Sequence, residues 1–439
     1  MRLLAIVLTC GLAGAVPAHA QPAAGAQAIP LSLDEAIARG MAASHRLAEM
    51  DARVRAADAA IGGARAAALP EVSLQGGFTR TNHVDEFAIA TPGGPPQIVY
   101  PDVPSNARAR FDLQWPIYTG GRTAALERAA RAEHGASAAD RAAARADLRL
   151  EITRAFWALV TARETEVVLQ RALEAIGAHV NDLRERLAQG LIPPNDLLSA
   201  QAEESHQRML AIEARNTRAI AEADLRRATG IDDQGRLEPV VDPSRDAAAS
   251  EAVPPGTVRP ERRALAARAQ AAIAQADAAA AASRPQVAVG AGYDYARPNP
   301  RIFPRTADWR DSWDVSVFVS WPLWDGGRRA ADRGEARALA DAAQARVEDF
   351  DREARFEVRQ RQLELDSSRA SVTAAEDEVR AAAEAERVVG ERYRAGVATS
   401  SDVLDAQVAR LQAELDRTRA TAGVRLAAAR LARALGTEP

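Results

Sequence analysis

The chain of 439 residues contains one eight-residue frame, Trp-Pro-x-x-x-Gly-Gly-Arg, twice: at residues 115–122 and at residues 321–328. The two copies are about 206 residues apart, and other stretches match in the same order on both sides. The other matches are LPEVSLQGGF (69–78) with RPQVAVGAGY (284–293), and RLAQGLIPPNDLLSAQ (186–201) with RYRAGVATSSDVLDAQ (392–407). Ordered matches at separated places indicate a duplication, so the fold must consist of two similar halves.

Each half has the same plan: a helix, then a β-hairpin, then a pair of long helices. The hairpins are predicted at residues 71–117 and 286–322. The predicted divisions are a signal peptide at 1–20, a first repeat at 21–230, a linker at 231–259 and a second repeat at 260–439.

The first 20 residues are typical of a secretory signal peptide. An apolar stretch too short to span a bilayer follows Arg2 and ends at Ala18-His19-Ala20, a small-x-small cleavage pattern. Cleavage there removes Cys10, the single cysteine, and so excludes disulfides and cysteine–metal sites. A lipidated Cys10 is the alternative. The formal net charge of −4 gives no sign of a nucleic-acid partner.

Two long runs contain almost no glycine or proline, from Thr123 to about Gln189 and from Arg329 to about Ala395. At the rise of an α-helix, each predicts a helix roughly 100 Å long. Aromatic residues make up only 4% of the chain, and this Ala-, Arg- and Glu-rich composition is typical of coiled coils. A purely structural coiled coil explains the helices but not the segments between them.

Four short segments alternate apolar and polar residues, which predicts β-strands. Each segment has about ten residues, the length that crosses a bilayer at a tilt. A soluble antiparallel sheet shows the same alternation and is the alternative. The apolar positions are Val72, Leu74 and Phe78; Phe111, Leu113, Trp115 and Ile117; Val287, Val289, Ala291, Tyr293 and Tyr295; and Trp313, Val315, Val317, Val319 and Trp321.

Strands that face lipid cannot leave an open sheet edge, because each unpaired backbone group in hydrocarbon costs several kcal/mol. Four strands are too few to close a barrel, since the smallest bacterial barrels have about eight. The barrel must therefore be shared between chains. Two chains supply eight strands and three supply twelve, which leave room for a channel.

The repeated frame is predicted to join a strand to a long helix. Its tryptophan ends the strand, its proline stops ladder pairing, and its two glycines supply the backbone freedom for the turn into the helix. These junction residues are Trp115, Pro116, Gly120 and Gly121 in the first repeat, and Trp321, Pro322, Gly326 and Gly327 in the second.

The duplicated order of helix, strand pair, WPxxxGGR, long helix and D(L/V)L(S/D)AQ resembles the TolC family of outer-membrane efflux and secretion channels, over nearly all of the mature chain. The resemblance implies an α+β membrane protein. Four strands per chain would enter a shared trimeric β-barrel, and long antiparallel helices would form an α-helical periplasmic tunnel. It also implies a homotrimer in outer-membrane lipid that works with a periplasmic adaptor (membrane fusion) protein and an inner-membrane pump.

The resemblance places the functional residues at the two helical turns. The adaptor is expected to contact the tips at Gly190 and Leu191, and at Gly396 and Val397. The periplasmic gate is expected to include Asp196, Asp402, Asp405 and Tyr393. In a trimer Asp402 and Asp405 would form two carboxylate rings that attract cations. An N-cap role for Asp402, with Ser400 and Ser401 as competitors, is the alternative. In the family, a basic residue near the second tip helps to hold the channel closed. This chain has Ala398 at that position.

The sequence thus predicts an outer-membrane exit duct of a tripartite efflux or type I secretion system. A structural envelope coiled coil with a β-membrane anchor is the alternative. The six histidines show no metal-ligand spacing, and no phosphate loop or Ser/His/Asp set stands out. We therefore expect neither an enzyme nor a cofactor. The residues do not identify the cargo.

Overall fold

A computed structural model describes residues 28–232, 235–241 and 258–437. The predicted signal peptide, Cys10 and most of the predicted linker lie outside these residues. The described helices are α1 (Leu33–Ala43), α2 (His45–Ala66), α3 (Arg122–Ala188), α4 (Pro194–Thr229), α5 (Pro260–Ala281), α6 (Arg328–Arg394) and α7 (Ser400–Ala434). The described strands are β1 (Ile29–Ser32), β2 (Glu71–Arg80), β3 (Phe87–Ile89), β4 (Gln97–Tyr100), β5 (Ser105–Tyr118), β6 (Leu237–Val240), β7 (Gln286–Arg297) and β8 (Arg310–Ser320).

The four predicted strands form one antiparallel sheet in the order β2-β5-β7-β8. The two hairpins have the same register. Leu74 lies opposite Phe111 in the first, and the aligned Val289 lies opposite Val317 in the second. The duplication seen in the sequence is therefore also a duplication of strand pairing.

One face of this sheet is apolar and exposed. The exposed side chains include those of Leu74, Phe78, Phe111, Trp313 and Val317. A soluble sheet would bury such a face against a second layer. In the described chain no layer covers it, as expected for strands that face lipid.

The other face of the sheet carries an ion-pair network. Arg108 Nε lies 2.5 Å from Asp294 Oδ1, and Arg110 bonds to Asp294 and, at 2.6 Å, to Asp112. Gly292 makes this possible, because a Cβ there would overlap the guanidinium of Arg110. The sheet thus presents apolar side chains on one face and charged side chains on the other.

Two details of the predicted hairpins are wrong. Pairing between β2 and β5 ends at Glu71–Gln114, before Pro116 is reached, whereas pairing with β7 continues past Pro116 through a bulge to Tyr118. The bulge accommodates the missing N–H of proline. Strand β8 ends at Ser320, so Trp321 and Pro322 lie beyond it. The Trp321 indole instead donates a hydrogen bond of 3.3 Å to the Ser283 carbonyl.

Two further elements differ from the sequence reading. The first helical stretch breaks into α1 and α2 at Ser44, whose hydroxyl accepts a hydrogen bond from the Leu47 N–H and begins a new helix. The longer loop of the first hairpin contains the small β3–β4 hairpin, whose turn sequence TPGGPP is rich in turn-forming residues.

The long helices are confirmed to within one residue at each end as α3 and α6, each of 67 residues. They differ in burial: α3 has twenty buried residues, whereas α6 has three, Ala340, Leu365 and Ala375. Helix α3 packs against α1, α2, α4, α5 and α7, whereas the main partners of α6 among the described helices are α5 and α7. Helix α2 buries no residue. The helices of the described chain therefore form a layer that ends at α2 on one side and at α6 on the other.

A small belt packs on the middle of α3. Strands β1 and β6 pair in parallel, and Leu31 and Leu237 join Ile152 and Phe156 of α3 in a buried cluster. Gly40 of α1 lies so close to α3 that an added Cβ would clash with Ile152. No helix in the described part of the chain is apolar over enough of its length to span a bilayer.

Candidate functional site

The two helical hairpins end in turns of the same geometry. Gly190 and Gly396 have φ angles of 71° and 76°, which residues with a Cβ rarely adopt. The residues that follow, Leu191 and Val397, donate backbone hydrogen bonds back to the Arg186 and Arg392 carbonyls at 3.0 and 2.9 Å. Their side chains are 67% and 66% exposed. Each tip thus presents an apolar side chain to solvent, at the predicted adaptor-contact positions.

Thr399, rather than Asp402, Ser400 or Ser401, is the N-cap of α7. Its hydroxyl accepts a hydrogen bond from the Asp402 N–H at 3.2 Å, and the Asp402 carboxylate accepts from the Thr399 N–H at 2.7 Å. This reciprocal pair is a capping box. The backbone and hydroxyl hydrogen bonds from Thr399 lower the pKa of Asp402 below its usual value. Asp402 therefore stays ionised and holds the turn.

The other predicted gate acids are less constrained. Asp405 lies one turn further along α7 and is exposed. Asp196 is half-buried in the first turn of α4, where its carboxylate accepts a hydrogen bond of 2.9 Å from the Asn195 side chain. Asp196 makes no ion pair within the described residues, which agrees with the absence of a basic side chain at Ala398.

Tyr393 lies between the two hairpins and connects them. The guanidinium carbon of Arg186 lies 4.7 Å from the centre of its ring, a cation–π contact from α3 to α6. The Tyr393 hydroxyl is buried and has no hydrogen-bond partner in the described chain. Burial raises the pKa of Tyr393. A basic group thus reaches the second tip from the other hairpin, through Arg186, which the sequence reading missed.

The buried His179 was also not predicted from the sequence. Its imidazole is only 9% exposed, and its Nε2 lies 3.0 Å from the hydroxyl of Ser400, which is 6% exposed. The ring also contacts Tyr393 edge to face, with ring centres 5.7 Å apart. The sequence does contain a signal that His179 is buried, because it falls in the apolar row of Ile176, Val180 and Leu183 on α3.

The strand-to-helix junctions have the geometry that their glycines predict. Gly120, Gly121, Gly326 and Gly327 all have positive φ angles, between 65° and 92°. The fifth position of the frame adds a feature that was not predicted. Thr119 Oγ accepts a hydrogen bond from the Thr123 N–H at 3.3 Å, and Asp325 Oδ2 accepts from the Arg329 N–H at 3.1 Å. This side chain therefore caps the helix that follows.

No group of three or more histidine, cysteine, aspartate or glutamate residues in the described ranges is arranged to hold a metal ion. The sheet with a bare apolar face, joined to helices of 67 residues, instead defines the class: a channel protein of the bacterial envelope.

The comparison with known proteins identifies the family within that class. The chain belongs to the outer membrane efflux protein family, whose model matches residues 37–231 and 258–437. It is 28% identical to the protein CyaE of Bordetella pertussis over 359 residues, which cover 79% of this chain and 67% of that protein.

Solved structures share the fold. The crystal structure of VceC from Vibrio cholerae has a TM-score of 0.77 at 21% identity, covering 92% of this chain and 96% of that one. The MtrE outer membrane channel of Neisseria gonorrhoeae has a TM-score of 0.74 at 20% identity, covering 92% and 89%. The family resemblance, the joining of a membrane sheet to long helices and the outer-membrane location are confirmed.

Proposed function

We propose that three copies of this chain form a passive exit duct that carries cargo from the periplasm across the outer membrane. The duct would act with a periplasmic adaptor protein and an inner-membrane pump, in a tripartite efflux or type I secretion system. The observation that carries this proposal is the pair of open edges on each protomer, β2 with α2 on one side and β8 with α6 on the other.

The internal duplication specifies how these edges meet. Within the chain, the second strand of the first repeat pairs with the first strand of the second repeat, and Phe111 lies opposite Tyr293. In the alignment of the two repeats, Phe111 corresponds to Val317 and Tyr293 corresponds to Phe78. Strands β8 and β2 run in opposite directions, so repeating the internal contact places Val317 of one copy opposite Phe78 of the next. A head-to-tail contact of this kind closes into a ring when its rotation divides a full turn, which a barrel without open edges requires.

The polar face of the sheet favours three copies over two. An eight-stranded barrel is about filled by its own side chains, whereas the inner face here carries bulky charged groups such as Arg108, Arg110 and Asp294. Twelve strands enclose these groups and still leave an aqueous path. The same contact covers α6 of one copy with α2 of the next. These two helices are therefore exposed only in the isolated chain.

The proposed role is transport without catalysis. The exposed Leu191 and Val397 at the tips supply the apolar contacts that an adaptor would bind. The alternative, an envelope stalk with a membrane anchor, needs no closed ring and no open path.

Disulfide cross-linking tests the proposed register. We expect Phe78→Cys with Val317→Cys, in the chain without Cys10, to give covalent dimers and trimers upon mild oxidation, because directly opposed strand residues have Cβ atoms about 5 Å apart. Each single variant is the matched control and should stay monomeric on a denaturing gel. The mass of the detergent-solubilised protein gives the copy number independently.

Two results would contradict the proposal. A monomeric mass in detergent excludes a shared barrel. If the protein is a trimer but the double variant cross-links no better than the single variants, the closed ring stands and the proposed register between copies is wrong.

A further inference from the structure

The buried imidazole of His179 lies where the two helical hairpins of the protomer meet. We propose that His179 is an acid-sensitive latch, which holds the hairpin tips together when neutral and releases them when protonated. This inference rests on the proposed duct and assigns a regulatory residue to its periplasmic end.

The latch joins the two repeats through side chains on three helices. His179 belongs to α3, whereas its hydrogen-bond partner Ser400 is the first residue of α7 and its ring partner Tyr393 is in the last turn of α6. The surrounding apolar cluster also includes Val180 and Leu183. These contacts hold the second tip against the first hairpin, in a chain that has Ala398 in place of a basic residue.

The charges around the imidazole act in opposite directions, because Asp182 favours its protonation and Arg186 disfavours it. From α3 itself, Asp182 and Arg186 face His179, and they already pair with each other at 2.9 Å. From α6, Tyr393 is neutral near physiological pH, and from α7, Ser400 carries no charge. Asp196 of α4 acts on Tyr393, not on the imidazole directly.

Protonation would leave one ring N–H without an acceptor. Within the described chain the only hydrogen bond of the imidazole is that of Nε2 to Ser400. An imidazolium also donates from Nδ1, and a buried donor without an acceptor costs free energy. The protonated ring is better solvated outside the cluster, so protonation favours separation of the hairpins.

The sign of the pH dependence follows from burial. Burial lowers the pKa of His179 in the closed arrangement, Asp182 partly opposes this, and Arg186 adds to it. The released ring has an ordinary pKa of about 6.5. The latch is therefore fully engaged above about pH 6.5 and weakens as the pH falls below that value.

Conductance in planar bilayers tests the latch in the assembled protein. We expect the wild-type conductance to rise at least about twofold between about pH 7.5 and about pH 5.5. His179→Gln keeps a hydrogen-bonding side chain that does not titrate, so its conductance should not change with pH. His206→Gln, an exposed histidine of α4, is the matched control and should behave as wild type.

Spin labels provide a measurement that does not depend on conduction. With Leu191→Cys and Val397→Cys labelled in detergent, acid should lengthen the distance between the tips in the wild-type background and not with His179→Gln. A pH response that persists in His179→Gln, or a wild-type tip distance that stays fixed, overturns the latch. If acid lengthens the tip distance but the protein conducts no ions in bilayers, the latch is supported and the proposed duct is contradicted.

Discussion

Asp402 and Asp405 are only three residues apart in α7, yet their surroundings differ. The Asp402 carboxylate is held by Thr399 in the capping box, whereas Asp405 is exposed and makes no side-chain hydrogen bond or ion pair within the described residues. Removing Asp402 therefore alters both the charge at the proposed gate and the start of α7, but removing Asp405 alters only the charge. This difference makes Asp405 the cleaner probe of a carboxylate ring.

We expect Asp405→Asn to weaken block of the channel by a trivalent cation such as La³⁺ by about tenfold, because three carboxylates are lost from one ring. Asp402→Asn with Asp405→Asn should abolish the block and raise the single-channel conductance. The measurement is the blocking concentration in planar bilayers. Glu133→Gln, on an exposed part of α3, is the charge-matched control. Block that is unchanged in the double variant would remove the carboxylates from the gate.

Single residues were the hardest features to predict. The family resemblance placed Tyr393, Asp402 and Asp405 near the second tip, which the glycine turn at Gly396 marks in the sequence. The bond between His179 and Ser400 joins residues 221 positions apart, so it depends on how the hairpins pack and not on any local pattern. Arg186 was missed for the same reason, since its contact with Tyr393 crosses between the hairpins.

At the scale of elements, local rules were more successful. The long helices were predicted closely because glycine bounds them and their interiors contain almost no helix-breaking residue. The end of β8 was misplaced because alternation continues through Trp321 in the sequence while its ladder partner β7 begins at Gln286. The break at Ser44 was overlooked, although a serine within a helical pattern is a common N-cap.

The fifth position of the junction frame gives a prediction about one element. Asp325→Ala removes the acceptor for the Gly327 and Arg329 N–H groups, so their hydrogen exchange should become about tenfold faster. The first turn of α3 should not change. Thr119→Ala is the matched variant in the other repeat and should show the reverse pattern. Equal exchange in all three proteins would mean that the glycine backbone alone sets the helix start.

At the scale of the whole molecule, one chain of ion pairs connects the two repeats. Arg433, near the end of α7, pairs with Asp147 of α3 and with Glu261 of α5. Arg259 extends the chain from Glu261, at 3.2 Å, to Glu357 of α6, at 2.5 Å. The network thus joins the end of the second repeat to the first repeat, at the level of the belt. Such a connection between distant segments could not be predicted from either repeat alone.

This network makes the fold sensitive to acid in a defined range. Burial raises the pKa of Glu261, but hydrogen bonds from Arg433 and Arg259 outweigh it and lower the pKa from 4.5 to about 2. Because the folded-state pKa is depressed, the stabilisation is complete above about pH 4.5 and disappears as the pH falls towards about 2.

We expect Glu261→Gln to lower the free energy of unfolding by about 2 kcal/mol at neutral pH, because the buried Arg433 then keeps Asp147 as its single charged partner within the described residues. The difference from wild type should shrink as the pH falls below about 4.5 and become small near pH 2, where about half of the Glu261 carboxyls are themselves protonated. Thermal unfolding of the detergent-solubilised protein, followed by circular dichroism across this pH range, measures both effects. Glu133→Gln, on an exposed part of α3, should change neither. A difference that stays constant down to pH 2 would mean that Glu261 stabilises the fold through packing and not through its charge.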